Sequence, residues 1–290
     1  MRSITDPYQL SNGVTVPCVG FGTWKSPEGE ETVTLVQNAI EAGYRHFDTA
    51  AVYNNERSVG QALARSGLAR EEIFVATKLQ NVAHSYQKAL DAFEQSREKL
   101  GLAYVDLYLI HWPSPIEFRD QWKEANASTW KALEELYRQG KIRAIGVSNF
   151  RRHHLEALLE TAEIAPMVNQ LRLCPGDTHA DTVAFCQKTN ILPEAYSPLG
   201  TGQILQVPEM CSLAEKYGKT VAQICLRWHL QSGHLPLPHS VRPERMRENA
   251  ALFDFALTEQ DMSLISGLEG CVGYATDPDT SAHHQSEVLD

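Results

Sequence analysis

An acid, a phenol, an amine and an imidazole stand at or just past the ends of successive apolar runs of this chain: Asp48, Tyr53, Lys78 and His111. Asp48 closes Tyr44-Arg45-His46-Phe47, Lys78 closes Ile73-Phe74-Val75-Ala76-Thr77, and His111 closes Val105-Asp106-Leu107-Tyr108-Leu109-Ile110. Tyr53 follows in the loop after the first run. These four types together can move a proton. A phenol has a proton to give, a nearby ammonium favours the phenolate and lowers the phenol pKa, and a carboxylate keeps the ammonium charged. An imidazole can hydrogen-bond the group that receives the proton. Any single polar residue past a strand can be a plain turn former or helix cap. Four in this order are harder to explain so, because in a parallel barrel the C-terminal strand ends form one rim where catalytic residues gather.

The elements that must position them follow from the pattern of the whole chain. Short β-branched runs alternate with amphipathic stretches, which predicts βαβ units and a parallel sheet. Tyr8-Gln9-Leu10 and Val14-Thr15-Val16 flank Ser11-Asn12-Gly13, and Asn-Gly suits the tight reversal of an opening hairpin. Eight strands are then expected to start near Val19, Tyr44, Ile73, Val105, Ala144, Met167, Leu192 and Leu235. Helices are expected over Glu31–Ala42, Arg57–Ser66, Ser85–Leu100, Ser128–Gln139, His153–Thr161, Asp181–Thr189, Val221–Gln231 and from Pro243 to Asn249. In the helix from Ser85, Ala89, Ala92, Phe93, Ser96 and Leu100 fall on one face. Eight strands with intervening helices and no linker imply one (β/α)8 barrel domain over residues 1–290. An open doubly wound sheet lacks its fingerprint: Gly20-Phe21-Gly22-Thr23-Trp24 approaches GxGxxG and then departs from it. The polar tail from Cys271 to Asp290 is expected to cover a barrel face as irregular chain, or to fray.

Composition narrows the class. An apolar share of 43% with 21% charged residues suits a soluble globular protein with a real core. A net charge of −10 argues against nucleic acid or an anionic membrane as partner. No run approaches the roughly 20 apolar residues of a membrane span, and Met1-Arg2-Ser3-Ile4-Thr5-Asp6-Pro7 lacks the apolar stretch of a signal peptide. Six scattered cysteines without a CxxC pair suggest reduced thiols in a cytoplasmic protein. No metal site is expected. His84, His153, His154 and His179 read as surface histidines, and His283-His284 lacks partners for a metal.

Five segments, in order, resemble the aldo-keto reductase family over almost the whole chain. Gly43-Tyr44-Arg45-His46-Phe47-Asp48-Thr49-Ala50 with Tyr53, Asn55-Glu56 and Val59-Gly60 is similar to its first signature. Ala76-Thr77-Lys78-Leu79 resembles its lysine strand, and Asp106-Leu107-Tyr108-Leu109-Ile110-His111-Trp112-Pro113 its histidine strand. Gly140-Lys141-Ile142-Arg143-Ala144-Ile145-Gly146-Val147-Ser148-Asn149-Phe150 and Ala195-Tyr196-Ser197-Pro198-Leu199-Gly200 resemble the central signature and the cofactor-stacking segment. The resemblance implies reversible hydride transfer between NADPH/NADP+ and an aldehyde or ketone, in a monomer or weak dimer. It makes Tyr53 the acid, Lys78 and Asp48 its tuners, and His111 the group that polarises the carbonyl. It gives the nicotinamide to Ser148, Asn149 and Gln170, with Tyr196 stacked on the ring. Gly22, Thr23, Trp24, Asp48, Ser197, Leu199 and Gly200 join the cofactor site. Ser240, Val241, Arg245, Glu248 and Asn249 would hold the adenosine phosphate end, where a helix N-terminus and arginine forks suit phosphate. Arg242 and Arg247 can equally be surface charges. Trp24, Gln80, His111 and Trp112 would line the substrate site.

Three departures from the family pattern stand out. His239 takes the place of a frequent lysine that meets the 2′-phosphate. An imidazole carries charge only at acid pH, so NADH becomes possible as a cofactor. Arg172 and Cys174 follow Gln170 where many members read Glu-Tyr-His-Pro, and the sequence gives them no role. Gln80 replaces an aromatic, which leans the pocket toward hydroxyl-bearing substrates. Two other functions fit parts of the pattern. A Schiff-base aldolase barrel could use Lys78 as nucleophile, but such a lysine works neutral and Asp48 would keep it charged. A cofactor-binding regulatory subunit could keep the barrel without turnover, and the intact four-residue set argues for turnover. Substrate choice is expected to lie in the loop from Ser114 to Ala127 and in the tail.

Overall fold

The structure, a computed structural model, describes residues 1–281. The expected hairpin opens it, with β1 (Pro7–Gln9) and β2 (Thr15–Pro17) antiparallel and Tyr8 opposite Val16. Gly13 makes the reversal at φ 87°, a left-handed conformation open to glycine at no steric cost. Asn12 anchors the turn by donating from Nδ2 to the Arg143 carbonyl at 2.9 Å. Arg143 lies near the start of a barrel strand, so the hairpin covers the N-terminal end of the barrel and leaves the other rim for chemistry.

Eight parallel strands follow, each hydrogen-bonded to its neighbours in sequence: β3 (Phe21–Gly22), β4 (His46–Asp48), β5 (Phe74–Leu79), β6 (Val105–Ile110), β7 (Ile142–Ser148), β8 (Val168–Arg172), β9 (Leu192–Tyr196) and β10 (Leu235–Leu237). The Gly20 N–H donates to Pro236 O at 3.0 Å and the Gly22 N–H to Pro238 O at 3.2 Å, which closes the ring. A Cβ at Gly20 would stand 2.4 Å from Leu237 and 2.7 Å from His46, so the seam closes only around a glycine. The strands begin within two residues of their expected positions.

The outer helices are α1 (Glu30–Glu41), α2 (Glu56–Arg65), α3 (Tyr86–Leu100), α4 (Trp122–Arg138), α5 (Arg152–Leu159), α6 (Ala180–Lys188), α7 (Pro208–Tyr217), α8 (Val221–Gln231), α9 (Pro243–Ala250) and α10 (Glu259–Ser266). On α3, Ala89, Phe93, Ser96 and Leu100 are buried as the periodicity requires. Helix α4 starts six residues before the expected Ser128. The Ser128 hydroxyl that resembles a cap does cap a helix, but the neighbouring one, accepting from the Tyr86 N–H at 3.1 Å.

Helices α7 and α10 were not expected. Both carry boundary signals: Pro208 at the first turn and Gly218 at φ 60° for α7, and a Thr258 side chain accepting from the Asp261 N–H for α10. They build a second apolar cluster from Ile204, Met210, Leu213, Ile224, Trp228 and Ile265 beside the main core, and the tail closes it with Val272.

The tail is irregular as far as it is described and is tied across the rim. Arg172 donates to Asp177 Oδ2 at 2.7 Å and to the carbonyls of Val272 and Gly273 at 3.0 and 3.2 Å, which gives that residue its role. Ser114 Oγ donates to Pro278 O at 2.6 Å, and Arg119 to Ser281 O at 2.6 Å. Cys174 is fully buried in the second cluster. His153 is exposed as expected. His84 and His154 are fully buried, and the His179 side chain nearly so, which corrects the surface reading of these three. Each stacks or pairs inside: His84 on Phe118, His154 with Asp279, and His179 with Arg151 and Asp177. His283 and His284 lie outside the described residues.

Candidate active site

Strand ends bring the four sequence-selected residues together. Asp48 ends β4, Lys78 is the penultimate residue of β5, and His111 follows β6. Tyr53 ends a single 3-10 turn over Ala51–Tyr53, stopped by Asn54 at φ 54°. Lys78 Nζ donates to both Asp48 oxygens at 2.9 and 2.7 Å, to the Thr49 carbonyl at 2.9 Å, and to the Tyr53 hydroxyl at 3.3 Å. Its side chain is 1% exposed and that of Asp48 5%. Burial pulls the Lys78 ammonium down, but the charges and bonds of Asp48 and Tyr53 outweigh it, so the group is held charged. His111 meets the Tyr53 ring edge-on, with ring centres 6.0 Å apart.

The Tyr53 phenol corrects one expectation. Lys78 does act to lower its pKa, but burial acts more strongly and Asp48 adds to burial, so the net shift is upward. A phenol raised in this way stays protonated through neutral pH and is ready to donate.

The nicotinamide set is also assembled, and the side chains fix one another. Asn149, in the left-handed region at φ 62°, donates from Nδ2 to the His111 carbonyl at 2.9 Å and accepts from the Tyr196 hydroxyl at 2.9 Å. Ser148 Oγ donates to Gln170 O at 2.9 Å, and the Asn149 N–H to the same carbonyl at 2.8 Å. Gln170 Nε2 donates to Asp48 Oδ1 at 2.8 Å, which links this set to the first. Thr23 Oγ1 donates to Asp48 O at 2.9 Å, whereas Trp24 is 47% exposed at the rim. Gly200 packs against Val272, where an added Cβ would lie 3.0 Å away; Ser197 and Leu199 belong to the same bend. Gln80 and Trp112 are half-buried on the loops after β5 and β6.

Past the end of β10, the His239 Nδ1–H donates to the Gly22 carbonyl at 2.9 Å. Val241 is 65% exposed, and Arg242, the cap residue of α9, Arg245 and Arg247 are exposed as well. Among the described residues none of these three arginines has a carboxylate partner, so their charge is available to an anion. Glu248 is engaged by Thr220 at 2.8 Å, and Asn249 is buried. The exposed Trp24 and the arginines of α9 fit a cofactor with a flat ring and a phosphate.

Sequence reasoning missed three residues that shape this site. Asn55 accepts from Thr49 and donates to the Thr23 and Ser26 carbonyls at 2.9 and 3.0 Å, clamping the loop after β3. Glu194 and His46 lie inside the barrel beneath Gln170 and Asp48. Strand alternation carried the signal, since each stands two residues before a site residue and so shares its inward face. Among the described residues His153, His154 and Asp279 come close enough to share an ion. His154 Nδ1 accepts the Arg151 N–H at 3.1 Å, however, so its Nε2 carries the proton and donates to Asp279 at 2.9 Å. That leaves no lone pair there for a metal.

The profile of the Aldo/keto reductase family matches residues 18–269. The chain is 46% identical to a glyoxal reductase of Bacillus subtilis over 277 residues, covering 96% of this chain and 98% of that protein. It is 41% identical to the methylglyoxal reductase DkgA of Escherichia coli O157:H7, over 93% of this chain and 96% of that one. A Bombyx mori aldo-keto reductase solved in complex with NADP superposes with a TM-score of 0.84 at 36% identity, over 92% of this chain and 94% of that one. Among the described residues no helix is long and apolar enough to cross a membrane.

Proposed function

The chain belongs to the aldo/keto reductase family, an NAD(P)H-dependent carbonyl reductase, and from that premise we propose that it reduces small reactive aldehydes with NADPH as the preferred reductant and Tyr53 as the acid. The observation that carries this reading is Lys78, held between Asp48 and the Tyr53 hydroxyl at 3.3 Å. The nicotinamide, when bound, supplies a hydride to the carbonyl carbon. The carbonyl oxygen then gains negative charge and takes the Tyr53 proton. Lys78 stabilises the phenolate left behind, and Asp48 keeps Lys78 charged and aimed. His111 hydrogen-bonds the same oxygen and fixes the carbonyl against Tyr53. The geometry disfavours an imine-forming lysine, since Nζ is committed to Asp48 and the Thr49 carbonyl and has no free electron pair.

Relatives named for glyoxal and methylglyoxal support a two-carbon or three-carbon oxoaldehyde as substrate. The half-buried Gln80, which by itself leans toward hydroxyl-bearing substrates, would also offer an amide N–H to the second carbonyl of such a molecule. The unpaired arginines at α9 support NADPH over NADH. Six free thiols support a reducing, cytoplasmic setting, and the chain would work there as one barrel domain, a monomer or weak dimer. Methylglyoxal, glyoxal, aldoses and simple ketones should be compared with both cofactors by the absorbance of reduced nicotinamide. Higher kcat/KM for aldoses than for methylglyoxal would overturn the substrate class, and equal kcat/KM with NADH would overturn the cofactor preference.

A further inference from the structure

One layer below the rim, two buried titratable side chains have no part in the chemistry above. Glu194 shares the inward face of β9 with Tyr196, and His46 that of β4 with Asp48; both are fully buried. Gln170 joins the two layers, because its Nε2 donates to Asp48 Oδ1 at 2.8 Å and to Glu194 Oε2 at 2.6 Å. An amide carries its nitrogen and oxygen on one carbon. Two carboxyl acceptors on the nitrogen side therefore turn the oxygen away from both, which leaves it to accept from a carboxamide N–H. Glu194 Oε1 and His46 Nε2 face each other at 3.6 Å, and neither has another hydrogen-bond partner among the described residues.

We propose that Glu194 is a positioning residue for hydride transfer: it holds the Gln170 amide with its oxygen toward the cofactor, and it shares one proton with His46. The proposal rests on the assignment of Gln170 to the nicotinamide site. The 3.6 Å between Glu194 Oε1 and His46 Nε2 is longer than a hydrogen bond, and a proton between them would give both orphaned atoms a partner once that gap closes; burial decides where it sits. Burial, with the Asp48 charge adding, pushes the Glu194 carboxyl up to about 8, against the Gln170 bond and Lys78. Burial, with the Lys78 charge adding, drives His46 down to about 3. Both groups are thus neutral at pH 7, with the proton on Glu194.

Every element packed around the pair bears on this balance. Asp48 faces it from β4, Lys78 and the apolar Phe74 from β5, Gln170 from β8, the apolar Leu235 from β10 and the Pro17 backbone from β2, with Tyr53 beyond Lys78. Tyr53 and Lys78 are both raised from already alkaline values, so a transition near pH 8 in this set belongs to Glu194. Ionised, Glu194 adds a second negative charge beside Asp48, which raises the proton affinity of Lys78 and Tyr53 and slows proton delivery.

The test uses the full-length protein with NADPH and methylglyoxal. Glu194→Leu should lower kcat about tenfold, the scale of a small misalignment at the reacting centre, with the KM for methylglyoxal unchanged. Glu194→Gln can accept from Gln170 and donate to His46, so it should rescue the Leu variant at pH 7 while losing the fall in kcat expected of the parent through pH 8. Gln170→Ala serves as the control and should weaken NADPH binding, read by quenching of tryptophan fluorescence. Unchanged NADPH affinity in Gln170→Ala would overturn the cofactor-site reading and this inference with it. Weakened affinity there, combined with full kcat in Glu194→Leu, would overturn this inference alone. A parent and a Gln variant with the same profile through pH 8 would overturn the shared proton.

Discussion

Two buried carboxylates, one at each end of the barrel, are paired with cations in opposite ways. Near the N-terminal end Asp106 accepts from Arg70 Nη2 at 2.5 Å, from Arg143 Nη1 at 2.6 Å and from the Val75 N–H at 2.9 Å. Its cations remain in touch with water, at 20% and 38% exposure, and Arg70 also lies over the Tyr104 ring at 4.0 Å. At the rim Asp48 pairs with a lysine that is as buried as itself. The longest of the Lys78 contacts, at 3.3 Å, goes to the reactive phenol. Two guanidinium groups and a backbone donor occupy three of the roughly four lone-pair sites of Asp106 and lock three strands. A compact ammonium leaves part of its field directed at Tyr53. A carboxylate with fixed partners on every side stabilises the fold, and one whose cation leans on a phenol sets up chemistry.

The largest effect should come from the end of that lean. Tyr53→Phe should lower kcat on the order of 10³-fold, within the range of a lost general acid, while cofactor affinity holds. Steady-state rates and a fluorescence titration read the two quantities separately. A Phe variant within a factor of ten of the parent would show that Tyr53 is not the acid. Lys78→Met should act in the same direction through loss of the charge.

Asp106→Asn tests the other end. It leaves two arginines facing a neutral amide, and we expect a loss of about 3 kcal/mol of stability, in the range for a broken buried pair. Urea denaturation would measure it, and kcat/KM per folded molecule should stay at the parental value. Lower turnover at full stability in this variant would erase the distinction between the two carboxylates.

A third contrast sets both ion pairs against the buried histidines, which carry no charge. His46 and His84 are driven down to about 3 and His154, His179 and His234 to about 4, in each case chiefly by burial, and His229 is pushed well below its ordinary value. Each binds its proton more readily unfolded than folded. Their contribution is full above the unfolded value of about 6.5 and is lost as pH falls through the folded values. Glu194 has the reverse sign, since its raised value makes the folded state bind the extra proton, and it favours the fold most at acid pH. We therefore expect Tm to fall steeply from pH 6.5 toward pH 4. His84→Phe, with Phe118 already stacked on that ring, should soften the slope. A Tm flat over that interval would mean that these histidines are not neutral in the fold.

The rim was legible in the sequence because three of its four residues close a run and Tyr53 follows one, and a run is what periodicity detects. The barrel followed from the same signal, and the hairpin from the Asn12-Gly13 turn. What lay between the runs was less legible. Ser128 looks like a helix start and caps a different helix, a relation that exists only once α3 and α4 are packed. Arg172 shows its purpose only with the tail beside it, about a hundred residues on. His84 and His154 were assigned to the surface by residue type, which Phe118 stacked on the first and the tail's Asp279 bonded to the second override. Glu194 was within reach: Tyr196 had been assigned to the site, and alternation obliges the residue two before it to face the same interior.

The smallest effect concerns a third kind of site, where among the described residues the cations have no carboxylate. His239 sits beside the exposed arginines of α9, and its Nδ1 lies 2.9 Å from the Gly22 carbonyl. A carbonyl only accepts, so this nitrogen carries a proton. The neutral ring then turns a lone pair, not a donor, outward from Nε2, which adds nothing to the hold on a 2′-phosphate. His239→Lys replaces that lone pair with an ammonium at an exposed position. It should tighten NADPH by about 1 kcal/mol, roughly fivefold, and leave NADH unchanged. Losing the Gly22 bond should cost a similar amount of stability, because a neutral hydrogen bond contributes about 1 kcal/mol. Dissociation constants for both cofactors at one ionic strength would separate the outcomes. Equal tightening of NADH and NADPH would show that position 239 does not read the phosphate, leaving discrimination to the exposed arginines at the start of α9.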